Sequence, residues 1–155
     1  MAEHHAVHSA EVVASPRICF EVITDYEHVV EWQRSARWCE VVRRDESGRG
    51  AEVDWTVAAP IGAISYRLAY QYDEPRRVTG SLVQGSIPGL VGEWRFEEAP
   101  AAAGAARPAT LVTFDVRIDP GRFAPRPLVR MVEEQVVKGT LDDFKARAES
   151  VAAAR

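Results

Sequence analysis

Two neighbouring runs decide the fold class of this chain. The first is Ala51-Glu52-Val53-Asp54-Trp55-Thr56-Val57-Ala58-Ala59. After Pro60-Ile61-Gly62 comes the second, Ala63-Ile64-Ser65-Tyr66-Arg67-Leu68-Ala69-Tyr70-Gln71-Tyr72. Both alternate with period two. Val53, Trp55 and Val57 fall on one side of the first against Glu52, Asp54 and Thr56; Ile64, Tyr66, Leu68, Tyr70 and Tyr72 fall on one side of the second against Ser65, Arg67 and Gln71. Such alternation marks half-buried strands, and the short Pro/Gly break between them marks an antiparallel hairpin.

Working outward, the same pattern recurs between turn signals. Trp38 to Arg44 reads as a strand closed by Asp45-Glu46-Ser47-Gly48. Beyond Asp73-Glu74-Pro75, residues 77–85 put Val78, Gly80, Leu82 and Gln84 in phase, and after Ser86-Ile87-Pro88-Gly89 residues 90–98 do the same with Leu90, Gly92, Trp94 and Phe96. A loop rich in Ala, Gly and Pro covers 99–109 and is expected to be flexible. Residues 110–119 then alternate Val112, Phe114, Val116 and Ile118 against Thr113, Asp115, Arg117 and Asp119. One-sided alternation repeated this often predicts an antiparallel meander with one solvated face. The other face needs a cover. Residues 125–153, rich in Ala, Glu, Leu and Val, supply a helix of roughly 40 Å, long enough to cross the sheet. Its apolar residues form two offset arcs, Leu128, Met131, Val132 and Val136 with Gln135 on one, and Val137, Leu141, Phe144, Ala148 and Val151 on the other. Either the second arc packs as core while the first faces a cavity, or a long helix simply touches two layers.

At the N-terminal end, residues 1–5 read as a loose tail and 5–13 as a first strand of soft alternation, with Glu11 inward or outward according to register. Ser15-Pro16 opens a short helix, Ser as N-cap and Pro at the first helical position. Asp25 is placed to cap a second one through Trp32. The chain has 155 residues, enough for one domain, 1–155, with one core. It carries 19 Lys+Arg against 23 Asp+Glu, a net charge of −4, and so lacks the basic surplus of a nucleic-acid binder. No apolar stretch is long enough for a membrane span. The N-terminus lacks the layout of a secretion signal, and two well-separated cysteines, Cys19 and Cys39, fit a reducing cytoplasm. All the basic residues except Lys138 and Lys145 are Arg, a bias that fits a GC-rich bacterial genome.

Ala14-Ser15-Pro16, Phe20, Asp25-Tyr26-Glu27 and Trp32 near the start, Gly92-Glu93-Trp94-Arg95-Phe96 and Val112-Thr113-Phe114 in a late hairpin, and Leu141, Phe144 and Glu149 in the last helix resemble the SRPBCC superfamily (START, polyketide cyclase/dehydrase and lipid transport, with a coenzyme Q-binding group). The resemblance spans about 8–153. It departs at Val30-Glu31, where a Pro often precedes the Trp, and in the length of the 99–109 loop. It implies an α+β helix-grip fold: a curved antiparallel sheet of about seven strands, two short helices after the first strand, and a long C-terminal helix over the concave face. It also implies a deep apolar cavity between them. Members include lipid and sterol carriers, hormone receptors and polyketide aromatase/cyclases, and fold alone does not choose among these.

Trp55, Tyr66, Tyr70, Leu82, Trp94 and Phe114 share the inward phase of their strands. They are either plain core or the wall of a small-molecule site, to which Trp32 and the helix residues Leu128, Met131, Val132 and Gln135 would add. Buried Tyr and Trp need partners for their polar atoms, and an amide at Gln135 on an apolar arc must be hydrogen-bonded. Gln84 is in phase with the same surface or sits in water at a strand end. Arg67, Arg95 and Arg117 alternate with acids on the opposite phase and read as a solvated outer face.

Ring closure of a polyketide needs a base and oxyanion donors. Tyr66, Tyr70 and Gln135 are candidate donors, and no base accompanies them. His4, His5 and His8 lack a completing carboxylate or Cys set, so no metal and no cofactor is expected. Nor is there a Gly-x-Ser-x-Gly elbow or a Walker loop. The leading expectation is therefore a binding or carrier protein for an apolar small molecule such as a lipid, quinone or polyketide. The alternative is an aromatase/cyclase or dehydratase using Tyr66, Tyr70 and Gln135. A third reading is an interaction module with a filled core.

Overall fold

In the computed structural model, Ser15 caps the first helix as its sequence demands, its hydroxyl accepting from the amide of Ile18 with Pro16 at the first helical position. The structure describes residues 3–59, 62–100, 107–121 and 126–155, the side chain of Leu128 excepted. Strand β1 (His4–Val12) leads into α1 (Pro16–Thr24), a 3-10 turn (Tyr26–His28) and α2 (Val29–Trp32). The meander follows as β2 (Ala36–Arg44), β3 (Gly50–Ala59), β4 (Gly62–Asp73), β5 (Arg77–Gly85), β6 (Gly89–Glu98) and β7 (Thr110–Asp119). The C-terminal helix is α3 (Arg126–Met131), a π-helical stretch (Val132–Lys138) and α4 (Gly139–Ala153).

All seven strands form one antiparallel sheet in the order β1-β7-β6-β5-β4-β3-β2. Consecutive hairpins build it from β2 to β7, and β1 closes the far edge by pairing with β7. The sheet is curved, and α4 crosses its inner face: the helix-grip architecture. At one end Phe144 of α4 packs on Trp94, Phe96 and Trp32, with ring centroids 4.9, 5.9 and 5.9 Å away. Val12, Cys19, Phe20, Val78 and Val112 complete this block. A second buried block, Tyr26, Val29, Val53, Val57 and Leu68, sits under the 3-10 turn and α2.

The outer face is the charged one. Arg67 holds Asp54 through two guanidinium bonds of 2.6 and 3.0 Å. Arg95 bridges Glu93 and Asp115, and Asp115 also receives His5. Exposed pairs of this kind stabilise little individually; they keep the sheet's outer surface wet.

Three expectations are corrected, and two left open, the facing of Glu11 and of Gln84, are decided. The 1–5 tail does not hold for its described part, because His4 and His5 pair with Ile118 and Arg117 as the start of β1. Glu11 is exposed, since that register turns Ala6, Ala10 and Val12 inward. Asp25 makes no capping bond; its carboxylate is engaged by the His28 ring at 2.8 Å instead. Gln84 lies on the outer face. Arg67 pairs with Gln84 while Leu68 pairs with Leu82, so Val83 is an extra residue, and a bulge of this kind breaks the period-two alternation. Finally, the C-terminal helix is not uniform. The wider i→i+5 turn brings Val132, Val136 and Val137 into line with Thr140 and Phe144 over the sheet, and leaves Met131 and Gln135 exposed. Of the 99–109 loop, residues 101–106 lie outside the described residues; Ala99 and Ala109 close its base with a 3.0 Å amide–carbonyl bond. No helix among the described residues is long and apolar enough to cross a membrane.

Candidate functional site

The inner faces of β3 and β4 turn a side chain inward at every second residue, aromatic at Trp55 on one and at Tyr66 and Tyr70 on the other. Gly92 of β6 faces them with no side chain, and the π-helical stretch bridges above. The space left between sheet and helix is a cavity of about 130 Å³. The wall on the sheet side is Trp55, Tyr66, Leu68, Tyr70, Trp94 and Phe114; the roof is Val132, Val136, Val137 and Thr140; Tyr26 and Gln33 line it from the α1–β2 connection.

Of the residues read from sequence, the structure thus brings Trp55, Tyr66, Tyr70, Trp94, Phe114 and Val132 onto the cavity wall. Trp32 is one layer behind, packed edge-to-face on Phe144, and Leu82 supports the block around Val53 and Leu68 without reaching the cavity. Met131 is 40% exposed. Gln135 lies in a surface groove with Arg34, Glu134 and Lys138. The side chain of Leu128 lies outside the described residues. Gln33 and Thr140, both buried, are the polar wall residues that sequence reasoning missed. Gln33 sits in a connection with no periodicity, and Thr140 occupies a position whose facing depends on the π-helical stretch before it.

The wall's polar atoms are arranged in two chains. The Tyr26 hydroxyl donates to that of Tyr72 at 2.8 Å, and Tyr72 donates onward to the carbonyl of Gly50 at 2.5 Å. The indole N–H of Trp55 donates to the hydroxyl of Tyr70 at 3.0 Å. Tyr70 thereby receives a bond, and its own proton has no acceptor among the described residues. The Tyr66 hydroxyl makes no bond to any described residue and opens on the cavity. The Gln33 amide donates to Ser35 Oγ at 3.1 Å, and Gln33 is itself a wall residue.

Burial raises the pKa of Tyr66 well above that of a free phenol. Tyr70 is raised by burial first, then by the neighbouring Tyr66 and Cys39. Both are neutral hydroxyls at physiological pH, donors rather than bases. Behind them Cys39 is pushed up to about 12 by burial, which keeps its thiol protonated and unreactive. No described lining residue carries a charge, and no group of three or more metal-ligating side chains occurs among the described residues.

The cavity adjoins a surface groove beside the α2–β2 connection. Ala59, Val136 and Thr140 belong both to its wall and to the groove that holds Gln135. Across that groove Asp143 of α4 accepts the backbone N–H of Arg34 at 3.0 Å and its guanidinium Nε at 2.9 Å, linking the α2–β2 connection to the C-terminal helix.

A family profile described as polyketide cyclase / dehydrase and lipid transport matches residues 12–145. No curated protein matches the chain by sequence. Among solved structures, a START superfamily protein from Mycobacterium smegmatis superposes with a TM-score of 0.82 at 19% identity, covering 96% of this chain and 99% of its own. An aromatase/cyclase from a Streptomyces species superposes with a TM-score of 0.79 at 17% identity, covering 99% and 98%. At these identities the likeness is one of fold.

Proposed function

The chain belongs to the polyketide cyclase/dehydrase and lipid transport family, and from that premise we propose that it is a binding or carrier protein for an apolar small molecule held between sheet and C-terminal helix. The observation that carries this reading is the cavity wall itself, aromatic and aliphatic with a few neutral polar groups and no charged side chain among the described residues. Sites that bury small apolar ligands have this composition. Burying ~300 Å² of apolar ligand surface contributes roughly 7 kcal/mol before ordering costs, and carriage asks for nothing more. The two free cysteines support a cytoplasmic setting for this carrier.

Native mass spectrometry of the protein purified from its source, followed by solvent extraction, tests the proposal. A bound lipid, quinone or polyketide is expected. A protein that arrives empty and takes up none of a panel of such molecules overturns it.

A cyclase or dehydratase reading is favoured by one specific feature, the unused hydroxyls of Tyr66 and Tyr70, which suit polarisation of a carbonyl. It lacks a partner, because no described lining residue ionises near neutral pH to serve as base. Turnover of an aromatic polyketide precursor, with a large rate loss for Tyr70→Phe, would establish it in place of the carrier.

A further inference from the structure

We infer that the ligand is a neutral molecule presenting a carbonyl oxygen to Tyr66 and Tyr70, an aryl ketone or quinone rather than a fatty acid or a phosphate ester. The inference rests on the binding reading above and narrows its ligand class.

Charge decides first. The described wall offers no Lys, Arg or His to pair an anion and no carboxylate to pair a cation. A carboxylate or phosphate carried into such a space loses its hydration with nothing in return. Hydrogen-bond polarity decides next. Two phenol protons on β4, four residues apart and on the same face, are unclaimed by the described protein. The Trp55 bond occupies the acceptor side of Tyr70 and turns its proton away from the indole. Donation into Tyr70 also polarises its O–H and strengthens the bond it can give. With both phenols neutral, each is a donor awaiting an acceptor, and a carbonyl oxygen has two lone pairs to receive them. Size agrees with a compact ring system: an apolar void of about 150 Å³ takes up benzene, against about 130 Å³ here with phenol hydroxyls at the wall.

The test uses three single-ring molecules of similar shape: acetophenone, ethylbenzene and benzoate, each titrated calorimetrically into the full chain at neutral pH. The ketone is expected to bind about tenfold tighter than the hydrocarbon, the worth of two modest hydrogen bonds, and the carboxylate weakest of all. Tyr66→Phe breaks no bond to a described residue, so it folds normally. It should narrow the ratio of ketone to hydrocarbon affinity. A carbonyl-labelled ketone should show its infrared stretch at lower frequency when bound, moving back in Tyr66→Phe. Equal affinity for ketone and hydrocarbon, preference for the carboxylate, or a ketone preference and infrared shift that survive Tyr66→Phe each overturn this inference while the carrier reading stands. If none of the three binds, this inference falls, and the carrier reading stands or falls on the extraction experiment above.

Discussion

The Trp55 indole N–H donates to the Tyr70 hydroxyl at 3.0 Å along a diagonal of the inner face, because in the β3–β4 register Trp55 lies directly opposite Tyr66 and not Tyr70. The bond lays the indole along β4 and fixes the Tyr70 ring, whose centroid stands 5.0 Å from that of Tyr26. Tyr70→Phe keeps the ring and deletes the acceptor, leaving the indole N–H of a 9% exposed Trp55 unpaired. A loss of about 1–3 kcal/mol in unfolding free energy is expected. Tyr66→Phe, which removes a hydroxyl with no described protein partner, should change stability by less than about 0.5 kcal/mol. Urea denaturation of the two variants side by side checks the contrast.

Two glycines should respond to Ala with opposite signs. A Cβ at Gly85 would lie 2.7 Å from the Tyr66 Cβ and 2.9 Å from the Ser65 carbonyl oxygen, rigid backbone that cannot yield. Gly85→Ala should cost about 1–3 kcal/mol. Gly139 is in a right-handed helical conformation, with nothing within 4 Å of its would-be Cβ. Gly139→Ala should stabilise by about 0.5–1 kcal/mol through helix propensity. Thermal melts read both.

The strands, their order and the aromatic wall were legible because a half-buried sheet writes itself into sequence as strict alternation. Trp55, Tyr66, Tyr70, Trp94 and Phe114 follow from that alone. Two backbone events escaped it. The extra residue at Val83 reverses the facing of Gln84, and nothing in Leu82-Val83-Gln84-Gly85 announces a bulge. The i→i+5 turn over Val132–Lys138 was visible only indirectly, as two apolar arcs that no single α-helical wheel aligns. Read on an ideal wheel, those arcs put Met131 and Gln135 on the cavity and overlooked Val137 and Thr140. Gln33, in an aperiodic connection, left no pattern to read.

Stability should fall in acid. The Arg67 hydrogen bond holds the Asp54 carboxyl below its ordinary range. Asp115 and Glu149 are pushed up by burial, but the bonds they accept outweigh it, from His5 and Arg95 in one case and from Lys145 and the Val13 amide in the other, and both end lowered. A depressed folded-state pKa contributes stability that is complete above the unfolded value, about 4, and is lost as pH falls through the folded one. Melting temperature should therefore be flat with respect to these groups above about pH 5 and decline steadily below pH ~4. Asp54→Asn should flatten part of that decline. A melt series from acid to neutral pH that shows no decline contradicts these assignments.

Asp143 accepts two bonds from Arg34 across the groove that shares Ala59, Val136 and Thr140 with the cavity wall. Asp143→Ala frees the α2–β2 connection from α4, at a cost of about 1 kcal/mol because Arg34 is largely solvated. Ligand on- and off-rates should both rise, with the dissociation constant changing less than either rate. Stopped-flow fluorescence, reading Trp55 and Trp94 on the cavity wall, separates the three quantities.

Gly92 offers the cleanest way to close the cavity without breaking the fold. It lies on the inner face of a central strand, and its would-be Cβ meets only the Phe114 ring at 3.9 Å, an ordinary contact. Gly92→Val adds a β-branched side chain where strand propensity favours one, removes the entropic penalty of glycine in a strand, and projects its methyls into the cavity that Gly92 lines. Stability should rise by up to about 1 kcal/mol while binding of an acetophenone-sized ligand weakens at least about tenfold. A filler that stabilises the protein and blocks its ligand shows that the void is kept for binding and not as a packing defect. If Gly92→Val binds as tightly as the unaltered chain, the ligand lies elsewhere.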